Sequence, residues 1–222
     1  MKQEQGVVGR AVGAMIRRSV RRRFRNVYWR AAQPSIPAPV VLYANHHGWM
    51  DGYLMFHLAI KLDLVCIDWI EEYDTFPLFR FVGGIRYPKG DVAGRVAAVR
   101  RTIQELESGK SLVFFPEGVM HRPPSVLPLG KALATIARHV PNVTLAPVAI
   151  LQEMSLHERP EAWLSVGAPH RFESLEHCRD LLVSELDRLK NDVHAGVPFD
   201  LLAAGTPSVN ERMSLKRFSP KK

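Results

Sequence analysis

Disulfide scaffolds, thiolate metal centres and membrane spans have little to build on in this chain of 222 residues. Its only cysteines, Cys66 and Cys178, stand far apart without metal-ligand spacing, and Cys66 sits in an apolar run as a core thiol does. That usage reads as a reducing, cytosolic compartment. No apolar run approaches the roughly 18–20 residues of a membrane-spanning helix. Arginines interrupt the N-terminus too often for the apolar core of a secretory signal. No serine or cysteine occupies a nucleophile-elbow setting, so covalent nucleophilic catalysis has no candidate. Internal repeats are missing too.

What is present is a core and an uneven charge. With 46% hydrophobic residues, the chain is long enough for one α/β domain with a real core. The net charge of +8 is concentrated at the ends. Residues 1–30 hold nine Lys or Arg against one acid, and residues 211–222 hold five against one. Those segments carry +8 and +4, which leaves the body between them at −4. A nucleic-acid-binding domain wears its basic footprint on the folded body, so that class is excluded.

Val8, Val12, Met15, Ile16, Val20, Phe24 and Val27 recur at steps of three and four, which predicts an amphipathic helix over residues 8–29. Arg10, Arg17, Arg18, Arg21, Arg22 and Arg25 share the opposite side, with Arg23 the exception. A polar face made almost wholly of arginine suits an anionic membrane surface, where each basic side chain contributes about 1 kcal/mol. Docking of the same stripe on the protein's own core is the alternative. Pro34, Pro37 and Pro39 separate this segment from the body. The expected division is therefore a basic membrane-surface helix over 1–33, a domain over 38–200 and a basic tail over 201–222.

From Val40 onward strands and helices alternate. Strands are expected at 40–44, 62–67, 111–115, 143–150 and 162–168, with a short extended piece at 85–88. Helices are expected at 52–60, 70–82 (broken near Pro77), 91–108 with Asp91 as N-cap, 129–139 and 173–193. This order predicts an α/β fold with a largely parallel central sheet flanked by helices.

Working groups in such sheets gather at the carboxyl ends of strands. Three of those ends carry polar, glycine-marked turns. In the first, Asn45-His46-His47-Gly48-Trp49-Met50-Asp51, an imidazole suited to take a proton near neutrality stands five residues before a carboxylate. A carboxylate on the other ring nitrogen fixes the tautomer and stabilises the imidazolium. The second is Gly83-Gly84-Ile85-Arg86-Tyr87-Pro88-Lys89-Gly90, and the third is Phe115-Pro116-Glu117-Gly118. His47 and His57 are expected to be structural, His57 as a satisfied core residue.

Together and in this order, the three turns resemble the glycerolipid acyltransferase family of lysophosphatidic acid and glycerol-3-phosphate acyltransferases. His46 and Asp51 match its first block, a His and an Asp separated by four residues. The second turn is similar to its second block, with Lys89 in the place of an arginine. Phe115-Pro116-Glu117-Gly118 matches the third block, and Ala146-Pro147-Val148 is similar to the fourth. The resemblance spans about residues 38–170 and implies transfer of a fatty acyl group from coenzyme A or acyl carrier protein to a hydroxyl. On that resemblance His46 is the general base and Asp51 its partner. Lys89, Arg86 and Arg122 are the cations for an acceptor phosphate, Glu117 bonds an acceptor hydroxyl or positions one of them, and the backbone beside Gly118 or at the start of the 52–61 helix stabilises the oxyanion.

The third block departs from the family. Val119-Met120-His121-Arg122 stands where Thr-Arg-Ser is usual, so either Arg122 replaces the missing arginine or the acceptor carries no phosphate, as in a glycosylated or hydroxylated lipid. Met120 and His121 are candidates to line the acceptor pocket. The resemblance implies no cofactor beyond the acyl thioester, no metal, a lipid acceptor, and a cytoplasmic protein held peripherally on the inner face of a membrane. Two rival readings use the same residues: a metal-dependent hydrolase, and a non-catalytic membrane adaptor.

Overall fold

Val40-Val41-Leu42-Tyr43-Ala44 is apolar at every position, and a strand of that kind needs cover on both faces. The computed structural model, which describes residue 4, residues 6–154 and residues 156–213, places it at the centre of an eight-stranded sheet with all five residues buried. In chain order the strands are β1 (Asn26–Ala31), β2 (Val40–Ala44), β3 (Cys66–Ile70), β4 (Gly84–Arg86), β5 (Ser111–Phe114), β6 (Thr144–Glu153), β7 (Glu161–Val166) and β8 (Asp200–Ala204). Across the sheet they run β4-β3-β5-β2-β6-β7-β1-β8. The first five of that order are parallel, β6 meets β7 antiparallel, β7 and β1 are parallel, and β8 closes antiparallel on β1. The largely parallel sheet expected from the alternation is what forms.

Period-two alternation sorts the strand residues between two cores. Val41 and Tyr43 face α3 (Val92–Glu107), α4 (Ala132–His139) and α5 (Leu175–His194), meeting Leu106, Leu133, Ile136 and Leu182. Val40, Leu42 and Ala44 face α2 (Asp51–Lys61) and the end of α1 (Gly6–Arg23), meeting Leu54, Met55, Leu58 and Phe24. Asp91 caps α3 as expected, accepting from the Gly94 N–H at 2.8 Å. A short helix, α6 (Val209–Arg212), ends the described chain.

Four stretches differ from the sequence reading. The N-terminal helix stops at Arg23, and residues 26–31, with 26–29 expected to continue it, are strand β1 between β7 and β8. Arg25, placed by periodicity on an arginine face, instead pairs with Glu161 and Glu211. Residues 200–204, expected at the edge of a basic tail, are β8; Lys216, Arg217, Lys221 and Lys222 lie outside the described residues. The strand expected at 62–67 begins only at Cys66, because Leu62, Asp63 and Leu64 finish α2: their N–H groups return to Leu58, Ile60 and Ala59, with Asp63 left-handed at φ 52°. Residues 70–82 hold turns and a 3₁₀ helix, Pro77–Val82, rather than an α-helix.

Most of the apolar stripe of α1 is spent on the protein itself, with Val8 and Met15 left exposed. Val12 and Ile16 pack with Phe56 and Val82, while Val20 and Phe24 join the core beneath β2. No helix among the described residues is long and apolar enough to cross a membrane. Ile16 is 3% exposed, so Ile16→Ala should cost about 2–5 kcal/mol in urea denaturation. A change below about 0.5 kcal/mol, as expected of surface sites, would mean that α1 is not part of the core.

Candidate active site

The chain leaves β2 through a clamped turn. Asn45 is buried, donates from Nδ2 to the Ile150 carbonyl at 3.0 Å and accepts the Ile150 N–H at 2.8 Å, which locks the turn onto β6. Asp51 opens α2 at 1% exposure. Its Oδ2 accepts the Gly48 N–H at 2.8 Å and lies 3.0 Å from His46 Nδ1, while its Oδ1 accepts the Gln152 amide at 2.6 Å. A carboxylate on Nδ1 puts the proton there and leaves Nε2 as the basic nitrogen. Phe115 stacks on the His46 ring, centroids 4.3 Å apart, and restrains its rotation.

Glu117 sits directly under this turn. Oε1 accepts the backbone N–H of His46 at 2.8 Å, and Oε2 accepts the Leu127 N–H and the His121 ring, each at 2.6 Å. Its side chain is 0% exposed, and Arg86, Lys89 and Arg122 are not its partners among the described residues. The carboxylate expected to meet an acceptor hydroxyl or a cation therefore holds the third turn against the first. Gly118 follows at φ +70°, a conformation that favours glycine, and its N–H returns to the Phe115 carbonyl.

His47 turns away from His46. Its Nε2 donates to the Ser125 carbonyl at 3.0 Å and its Nδ1 faces the Asn45 amide at 3.1 Å, with burial holding its pKa below the ordinary value. His47, Glu117 and His121 bring potential ligand atoms within 4.8 Å of one another. Every one of those groups already has protein partners, which weakens the metal-hydrolase reading. His57 departs from expectation: its Nε2 is buried with no hydrogen-bond partner, and burial, aided by Arg17, pushes its pKa down to about 4. It is a neutral, incompletely satisfied core side chain.

His46 lines a cavity of about 480 Å³. Buried Ile16, Phe56, Ala59, Cys66, Val82 and Val113 make its inner wall, and exposed Trp49, Phe76, Val119 and Met120 rim it. Gly52 also lines it, in the first turn of α2, where backbone N–H groups lack intrahelical acceptors. Asp68, Glu71 and Glu72 are its acidic lining, and no lysine or arginine among the described residues belongs to it. The expected cations lie elsewhere. Arg86 forks onto Asp74 at 2.8–3.0 Å, with Asp91 at 3.8 Å. Lys89 is exposed, 4.0 Å from Glu71, and Arg122 is exposed beyond the rim.

Four groups at this site escaped the sequence reading: Asn45 as a clamp, Phe115 as a stacking partner, Gln152 and Asp68. Asp68 had a local signal, a lone carboxylate inside the apolar run Cys66-Ile67-Asp68-Trp69-Ile70. Gln152 had none, because its partner lies 101 positions away.

A family model described as Acyltransferase matches residues 26–151, more than half of the chain. Among solved structures, the fold is similar to the crystal structure of the 1-acyl-sn-glycerophosphate (LPA) acyltransferase, PlsC, from Thermotoga maritima. The TM-score is 0.61 at 21% identity, over 82% of this chain and 79% of that one. No curated protein matches.

Burial is the main reason that the Asp68 pKa rises from 3.8 to about 7, against the opposing Trp69 N–H and His46. Between about pH 4 and pH 7 the folded chain therefore holds a proton that the unfolded chain has released, and stability falls as pH rises through that window. Asp68→Asn should remove this slope, so the variant's unfolding free energy should gain on the wild type from pH 4 to pH 7 in urea denaturation. A constant difference would show that the carboxyl titrates normally.

Proposed function

The chain belongs to the acyltransferase family, and from that premise we propose that it moves a fatty acyl group from an acyl thioester, on coenzyme A or acyl carrier protein, to a hydroxyl of a lipid acceptor at a membrane surface. The observation that carries this reading is the His46 Nδ1–Asp51 contact at 3.0 Å beside an apolar cavity. His46 Nε2 removes the hydroxyl proton as the oxygen attacks the thioester carbonyl. Asp51 offsets the charge that develops on the ring. A C–O bond forms, the tetrahedral oxyanion collapses, the C–S bond breaks, and the thiolate recovers the proton from His46. The N–H of Gly52 at the start of α2 is the best-placed oxyanion donor, since that of Gly118 is already bonded. The thioester supplies the activation, so the step needs no cofactor.

Membrane contact belongs to the same proposal. With Val12, Ile16 and Val20 of α1 buried, the surface that meets lipid is the cavity rim, Trp49 (60% exposed), Phe76, Val119 and Met120, with Leu78 and the arginine face of α1 beside it. An exposed apolar patch bordered by basic side chains suits an anionic leaflet. On this reading the protein works in the cytoplasm, peripheral on the inner face.

Two acceptor classes remain within this reading. A lysophospholipid or glycerol-phosphate acceptor is what the family resemblance implies, with Lys89 and Arg122 left to meet its phosphate. An acceptor without phosphate, a glycosylated or hydroxylated lipid, is favoured by the cavity lining, which offers three carboxyl groups and, among the described residues, no lysine or arginine. An unpaired phosphate placed there meets like charge, an arrangement that selects against it.

His46→Ala should lower thiol release from an acyl thioester by at least about a hundredfold with the fold intact, and Asp51→Asn should be severely impaired; near-normal release by His46→Ala would sink the mechanism. Acceptor class is read by comparing lysophosphatidic acid, monoacylglycerol and a glycosylated lipid. Phosphate recognition predicts preference for the first, with Lys89→Ala raising its KM about ten- to a hundredfold. Control by the lining predicts faster acylation of the uncharged acceptors and no acceptor-specific effect at Lys89.

A further inference from the structure

β6 runs past its parallel neighbour. Its register with β2 ends at Ala44↔Val148, yet the strand continues to Glu153, and its last residues lie over the turn that carries His46. The two-way bond between Asn45 and Ile150 fixes how far it reaches. Gln152, two residues beyond Ile150 and on the same face by alternation, brings its amide 2.6 Å from Asp51 Oδ1.

We propose that Gln152 is a positioning residue for acyl transfer, acting through Asp51 on His46; the inference rests on the acyl-transfer reading. A carboxylate held through one oxygen can still turn about its Cβ–Cγ bond. Asp51 is held through both: Oδ2 takes the Gly48 N–H and faces His46 Nδ1, and Oδ1 takes Gln152. With the carboxylate plane fixed, Oδ2 aims at Nδ1, the imidazole ring stays in its Phe115-stacked orientation, and Nε2 faces the hydroxyl it deprotonates. Removing the amide would leave Oδ1 buried without this donor.

Glycine at position 48 is part of the same device. A Cβ there would collide with Gln152 Nε2 and press, at 3.3 Å, on Asp51 Oδ1, the two ends of that contact. Gly48 has no positive φ, so alanine fits its backbone and would act by pushing the amide off Asp51. Two independent substitutions therefore break one contact, one by removing the donor and one by displacing it.

The test compares Gln152→Met (similar length, no donor), Gly48→Ala and the double variant Gly48→Ala/Gln152→Ala. Thiol release is measured against both acyl thioester and lipid acceptor, and the His46 Nδ1 proton resonance is followed by NMR in the intact chain. Both single variants should lose about ten- to a hundredfold in kcat with each KM within about twofold of wild type, as for a residue that acts on the chemical step alone. The double variant should be no worse than Gln152→Met, because alanine at 152 removes the collision and the two changes share one contact. The Nδ1 proton should move upfield and exchange faster in both. A kcat within about twofold of wild type for both single variants, or a raised KM with kcat retained, overturns the proposal. If Gln152→Met fails to fold, Gly48→Ala, which keeps the glutamine, decides the question by the same criteria. Failure of the parent reading looks different: the wild-type chain would then release no thiol with any acceptor.

Discussion

A carboxylate at 1% exposure is tolerable only when donors surround it, and the site is organised around meeting that demand for Asp51. Its donors come from separate places: the Gly48 N–H and His46 Nδ1 in the turn after β2, and the Gln152 amide at the end of β6. Each donor is held in turn. Asn45 bonds both backbone groups of Ile150, Glu117 takes the His46 N–H, and Phe115 stacks on the ring. A His–Asp pair five residues apart is geometrically cheap. Holding it rigid takes three strands.

Those strands are neighbours because the sheet is parallel where it matters. β5, β2 and β6 lie side by side and end at the same edge, so turns separated by about 70 and 100 residues in sequence meet within hydrogen-bond distance. Parallel strands need long crossovers; α2, α3 and α4 lie in three of them, and together with α5 they cover both faces. The cavity beside His46 opens at that edge, between α2, β3 and the residues before β4. Its inner wall is apolar, while Asp68, Glu71 and Glu72 give it an acidic side where the family resemblance anticipated cations.

The N-terminal helix shows how one pattern serves two ends. A stripe of apolar residues at helical spacing is the same signal whether the apolar partner is a lipid bilayer or a neighbouring core. In this fold Phe56 and Val82 complete the contact with Val12 and Ile16, while Val8 and Met15 stay exposed beside the arginine face. Beyond Arg23 the backbone changes to a strand, for which Val27 is as suitable as it is for a helix. Its place between β7 and β8 rests on residues more than 130 positions away.

By itself the sequence determined the elements whose signals are local. Continuous apolar runs became buried strands, Asp91 became a cap, glycine-marked turns fell at strand ends, and His46 was close enough to Asp51 for a single turn to join them. Only the tertiary structure decided the rest. It turned Glu117 inward beneath His46, left Arg86 on Asp74, put Asp68 into the cavity and brought Gln152 to Asp51. It also packed Val12, Ile16 and Val20 of α1 against the protein's own core. The physical reason is that apolar periodicity and turn chemistry act over a few residues, whereas the partner of a buried charge is set by which strands lie side by side.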